Sequence, residues 1–187
     1  MTVAVAFLFA RLALGFLFLV AGLSKAWDRR AFQLAVASFQ IVPARLAPPV
    51  ATLIVAMELA GSGLLLAGTY EWLGALALGV LLVAFTVALV VNLLRGRRNL
   101  DCRCFGQPTV RIGWGHVIQN TLMLAVAVLI GAVVLRGHPP SGVGDRTTAS
   151  LTILAAAYTA ALFLTAQELV SVRTGLVRVL SRRVQAD

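Results

Sequence analysis

Charge is scarce in this sequence. Acidic and basic residues together make up 12% of 187 positions against 60% hydrophobic residues, and the mean hydropathy is +0.93. That balance excludes an ordinary water-soluble domain and makes lipid the solvent for most of the chain. Cysteine is scarcer still. Only Cys102 and Cys104 are present, so no second cysteine pair can complete a four-sulfur metal site, and the one-residue spacing matches no common zinc motif. No internal repeat or low-complexity segment appears. No basic residue precedes the first apolar run, which is also too long for a secretory signal, so it reads as a retained helix.

What is abundant is long apolar runs. About 20 apolar residues cross a hydrocarbon layer about 30 Å thick as a helix. Five such stretches are expected to span: Val3 to Leu23, Pro49 to Ala67, Trp72 to Leu94, Trp114 to Leu135 and Ala149 to Val170. The expected fold is an all-α polytopic bundle of about five spanning helices plus one short interfacial or re-entrant helix. That helix is assigned to Arg30 to Pro43, where Phe32, Val36 and Phe39 share a face and Gln33 and Gln40 lie off it. Pro43 should end it, and Pro48-Pro49 suits the first turn of the next span. Thr69 to Glu71 is short enough to make the second and third spans an antiparallel hairpin. The expected organisation is a four-helix core over residues 1–136, followed by a fifth span and a basic amphipathic tail over 137–187.

The net charge of +9 is distributed along the chain in a way that argues against nucleic acid. Lys25, Arg29, Arg30, Arg45, Arg95, Arg97, Arg98, Arg103, Arg111, Arg173, Arg178, Arg182 and Arg183 fall on one side of a five-span threading. Only Arg136 and Arg146 fall on the other, and Arg11 lies within the first span. By the positive-inside rule the rich side is cytoplasmic, which places the N-terminus outside and the cysteine loop and C-terminus inside a cell membrane. The tail, with Val172, Leu176, Val179 and Leu180 among its arginines, suits an anionic lipid surface.

Two ionisable residues interrupt the spans. Counted at 1.5 Å per residue, Arg11 lies about 12 Å and Glu58 about 14 Å from the outer face, level with each other. Burying either charge alone costs several kcal/mol, on the order of the insertion penalty for a lone charge, so the two are expected to form an ion pair. No second acidic or histidine residue extends a proton relay from them, which favours a structural pair over a proton or substrate site. Other polar residues gather at the opposite ends of the spans: Lys25, Asn92, His116, Gln119, Asn120, Gln167 and Glu168. Singly each suits a snorkelling or capping role. Together at the level of the two thiols they make a candidate site.

Cys102-Arg103-Cys104 admits several readings. A disulfide there closes a very small ring and is easily reduced, as suits an oxidant or exchange intermediate. As thiols, the pair sits among Arg97, Arg98, Arg103 and Arg111, whose potential favours thiolate. As metal ligands they would need further partners, His116 being the nearest. The remaining alternative is two small buried residues in a turn, which the placing of the chain's only cysteines together makes less attractive.

"GLSKAWD" after the first span, the glutamate in "AMELAGSGLLLAG" and "NLLRGRRNLDCRCFG" together resemble the MauE-type methylamine utilisation membrane proteins within a wider DoxX-like redox-associated group. The resemblance covers Arg11 to Leu135, with C-x-C-F-G as its specific part. It implies a small polytopic bundle linked to thiol-disulfide chemistry, supporting maturation of the disulfide-rich small subunit of methylamine dehydrogenase. On matching positions it implies Cys102 and Cys104 as a redox pair, which would make the chain a thiol-disulfide oxidoreductase, with Lys25 and Glu58 as pattern positions of unassigned role. Arg103 departs from the small residue often found between the family's cysteines. With a single cysteine pair, electrons would have to pass to a partner thiol protein or to a quinone in direct contact. An oxidant of exported proteins should also present its thiols outside, against the arginine distribution. The second class of function is a non-catalytic membrane assembly or transport factor pinned by an Arg–Glu pair.

Overall fold

A computed structural model of the chain describes residues 2–97, 112–137, 150–162 and 165. The described residues form helices and turns, with no strand among them. The helices are α1 (Thr2–Trp27), α2 (Arg29–Ser38), α3 (Ala47–Ala67), α4 (Glu71–Leu94), α5 (Trp114–Leu135) and α6 (Ser150–Leu162), and a single 3-10 turn, Ala44–Leu46, leads into α3. Among the described residues four helices, α1, α3, α4 and α5, are long and apolar enough to cross a membrane, so the chain is a multi-pass membrane protein. Of the expected fifth span, α6 covers the part from Ser150 to Leu162. Phe163 and Leu164, most of the remainder to Val170, and the basic tail lie outside the described residues.

Local chemistry explains the boundaries. Asp28 caps α2, its carboxylate accepting from the Ala31 N–H at 3.1 Å. Proline occupies the first turn of α3, where its missing N–H costs nothing. Gly68 ends α3 in the left-handed region at φ 70°, its N–H donating to the Leu64 carbonyl. The short helix α2 stops at Ser38, earlier than Pro43 implied, because Gln40 turns the chain at φ 51°. At its other end, α1 continues past Leu23 to Trp27.

Apolar residues surround each spanning helix, so burial follows proximity to neighbouring helices rather than a polar-apolar alternation. The interior is built from Leu14 and Phe18 of α1, Leu65 of α3, Ala75, Leu78, Leu81 and Leu82 of α4, and Ala127 and Ile130 of α5. Leucines such as Leu53, Leu76 and Leu122 stay exposed, as lipid-facing positions should. α3 packs against α1, α4 and α2, and α5 packs mainly against α4. The α3–α4 crossing is close: a Cβ on Gly74 would stand 2.8 Å from the Gly61 carbonyl oxygen. A smaller cluster of Leu89, Leu93 and Ile112, with Phe39 and Val117 against it, joins the ends of α2, α4 and α5. This cluster lies beside the points where the chain leaves and re-enters the described structure around the cysteine loop.

Candidate functional site

The expected pairing of Arg11 with Glu58 is not formed. Arg11 donates to Glu71 at the start of α4, and its guanidinium packs against Gly68. Glu58 instead receives Lys25, whose Nζ donates to Oε1 at 2.7 Å and Oε2 at 2.9 Å. Register explains the exchange. The two contacts put Arg11 level with the α3–α4 turn, whereas counting from the first apolar residue places it too deep. Helical side chains also lean towards the N-terminus of their own helix. In antiparallel α1 and α3 that lean brings Lys25, near the end of α1, and Glu58, midway along α3, towards each other.

Lys25 therefore neither snorkels nor caps. It is 2% exposed and Glu58 1% exposed. The Lys25 ammonium lies 5.6 Å from the ring centroid of Phe32 and 5.8 Å from that of Phe85, close enough for the ring quadrupoles to stabilise the cation. Its remaining contact, to the Ala21 carbonyl, is long at 3.5 Å. A doubly hydrogen-bonded ion pair enclosed by apolar side chains is thus shared by α1 and α3, with α2 and α4 supplying the aromatic walls.

Asn92 holds the second arrangement. It is completely buried, and its Nδ2 donates to the carbonyls of Phe39 and Ala88, both at 3.0 Å. Phe39 caps the C-terminus of α2, so its carbonyl has no helical partner and Asn92 supplies one. On its other side Asn92 Oδ1 accepts from Arg97 Nη1 at 3.3 Å. The Arg97 N–H also donates to the Asn92 carbonyl, and Arg95 reaches the carbonyl of Gln40. One amide thus ties the last turn of α4 to the end of α2.

On α5, His116 and Asn120 lie one turn apart. The buried His116 Nδ1 and Asn120 Nδ2 have no hydrogen-bond partner among the described residues. Gln119 is on the same helix. Cys102, Arg103 and Cys104, together with Arg98, Arg111, Gln167 and Glu168, lie outside the described residues. The expected cluster therefore resolves into a Lys25–Glu58 centre, an Asn92 clamp and a His116–Asn120 edge. Sequence reasoning placed Glu71 only in a turn; its position beside the end of α3 was the available sign that it could reach an arginine on α1. The aromatic walls were visible in part, as the shared face of Phe32 and Phe39, while Phe85 carried no signal beyond its apolar run.

No solved structure matches the chain. Among proteins of known sequence, "Methylamine utilization protein MauE" of Methylophilus methylotrophus is 30% identical over 164 residues, 87% of this chain and 84% of that protein. The protein of the same name from Paracoccus denitrificans is 30% identical over 83% of this chain and 82% of its own length. That of Paracoccus versutus is 34% identical over 72% of this chain and 73% of its own. A match of 164 residues out of 187 necessarily runs beyond Leu135 into α6, further than the motifs alone carried the resemblance. The profile of the family described as "Methylamine utilisation protein MauE" covers residues 3–134, and the chain belongs to that family.

Proposed function

We propose that the protein is an integral membrane factor of methylamine utilisation that supports maturation of a partner protein through thiol-disulfide exchange at Cys102 and Cys104. The reading is carried by one observation: the only two cysteines of the chain stand one residue apart, in the basic segment of sequence between α4 and α5. Arg97, Arg98, Arg103 and Arg111 supply positive potential that favours thiolate. His116 and Asn120 supply two buried nitrogens at the start of α5, where the loop rejoins the bundle.

In the forward direction a client thiolate attacks one sulfur of the Cys102–Cys104 disulfide and forms a mixed disulfide. The second client thiolate then displaces the cysteine, leaving an oxidised client and a reduced Cys102/Cys104 dithiol. Two electrons and two protons move from client to factor. Reoxidation passes them to a partner thiol-redox protein or to a lipid-soluble quinone. The basic loops face the cytoplasm in this reading, with the N-terminus outside. The cysteines then meet partners at the inner membrane surface.

A second reading has its own support. The enclosed Lys25–Glu58 bridge suits a non-catalytic assembly or transport factor whose bundle is pinned by one ion pair. The two part on substitution. Cys104→Ser should abolish maturation of the client while leaving the purified protein folded. If that variant matures the client normally and only Glu58→Ala fails, the assembly reading stands and the thiol reading falls.

A further inference from the structure

The Lys25–Glu58 centre is not sealed off from its surroundings. A cavity of about 200 Å³ lies between α2, α3 and α4, with Phe32, Phe39 and Phe85 among its walls. Every lining residue is apolar except Lys25. Its outer rim includes Ile41, which is 44% exposed, and the exposed Ala84, so it opens on the apolar surface of the bundle. A second cavity of about 220 Å³ is also lined by Lys25 and Phe32, with Arg29, Gln33 and Thr52 among otherwise apolar walls. The buried Lys25 thus lines both an otherwise wholly apolar cavity that opens on the apolar surface of the bundle and a second one that carries some polar side chains.

An acyl chain would gain nothing from a cation at the inner end of its groove, and a soluble anion would not enter through lipid. A flat, lipid-soluble ring with an outward carbonyl meets both requirements. Its faces pack against the phenylalanine rings and its oxygen accepts from an N–H of Lys25. That bond would replace the long 3.5 Å contact to the Ala21 carbonyl and leave both bonds to Glu58 intact. We propose that this apolar cavity is a binding site for a quinone-class headgroup, with the Lys25 ammonium donating to a ring carbonyl and the tail leaving past Ile41 and Ala84. Binding requires no thiol chemistry. Only its use as an electron acceptor for Cys102 and Cys104 rests on the redox reading above.

The test is titration of the full-length protein in lipid nanodiscs with decylubiquinone and with decylbenzene, which keeps a ring and tail but has no oxygen. Decylubiquinone should bind saturably and at least about tenfold more tightly than decylbenzene, the discrimination expected from a good hydrogen bond to a charged donor. Ala88→Leu fills the cavity without touching the ion pair, and should weaken quinone binding about tenfold or more with thermal melting unchanged. The paired change Lys25→Met with Glu58→Leu should erase the preference for quinone over decylbenzene. Equal binding of the two probes, or quinone binding unaffected by Ala88→Leu, overturns the proposal. Cys104→Ser should leave binding unchanged. A protein that selects quinone yet fails the thiol tests sinks the redox reading alone, and one that passes them without selecting quinone sinks this proposal alone.

Discussion

Two acidic side chains in the bundle do unequal work. Glu58 holds both of its oxygens on Lys25 in an enclosed setting, whereas Glu71 meets Arg11 at the end of the helices. Removing one partner of a buried pair strands the other charge, a loss of about 3–5 kcal/mol in protein interiors. Glu58→Ala should therefore lower the thermal melting temperature in detergent sharply, while the apolar pair Lys25→Met with Glu58→Leu should melt close to the parent. Glu71→Gln should cost clearly less than Glu58→Ala, because the Arg11 and Glu71 side chains keep 14% and 12% of their surface accessible. Equal losses from the two single changes would contradict the assignment of the centre to Lys25 and Glu58. The sequence offered four charges for two pairs, and depth counted along separate helices chose the wrong partners. The missing information was the axial offset of α1 against α3 and the direction in which helical side chains lean, neither of which appears in hydropathy.

At the scale of elements, apolar run length was a good guide. The span from Trp114 to Leu135 appears as α5 with the same bounds, α3 begins two residues before Pro49, and α4 begins one residue before Trp72. Such boundaries are legible because capping, proline at the first turn and glycine at the end are local signals. Contacts between elements were less legible. Asn92 reads as an ordinary polar residue near a helix end, and only the fold brings the Phe39 carbonyl within its reach. Asn92→Leu should leave that carbonyl unsatisfied, at about 1–3 kcal/mol. Hydrogen exchange should show it first, as faster exchange at the end of α2 and in the last turn of α4, with the α3–α4 crossing unaffected. Gly74→Leu should do the reverse. Even a Cβ there would stand 2.8 Å from the Gly61 carbonyl, so α3 and α4 must separate and the whole bundle should melt earlier.

At the scale of the whole molecule, the Lys25–Glu58 centre joins the end of α1 to the middle of α3, and the Asn92 clamp ties the end of α2 to the last turn of α4. The chain's membrane character follows from composition, and its family from motifs of which the first two lie on α1 and α3 and the third begins in the last turn of α4. On the proposed orientation, in which the arginine-rich loops face the cytoplasm, a membrane-impermeant thiol reagent should label Cys102 and Cys104 only after permeabilisation. Labelling in intact cells would reverse that orientation. The thiol assignment itself is tested most directly by a redox titration of the purified full-length protein in glutathione buffers, with a mass-tagging thiol reagent reporting the state of the cysteines. Cys102 and Cys104 should pass together from untagged to doubly tagged in one two-electron step, at a potential above about −300 mV, the region of exchangeable rather than structural disulfides. Two thiols that take the tag independently throughout the titration, with no doubly untagged state, would contradict a redox pair.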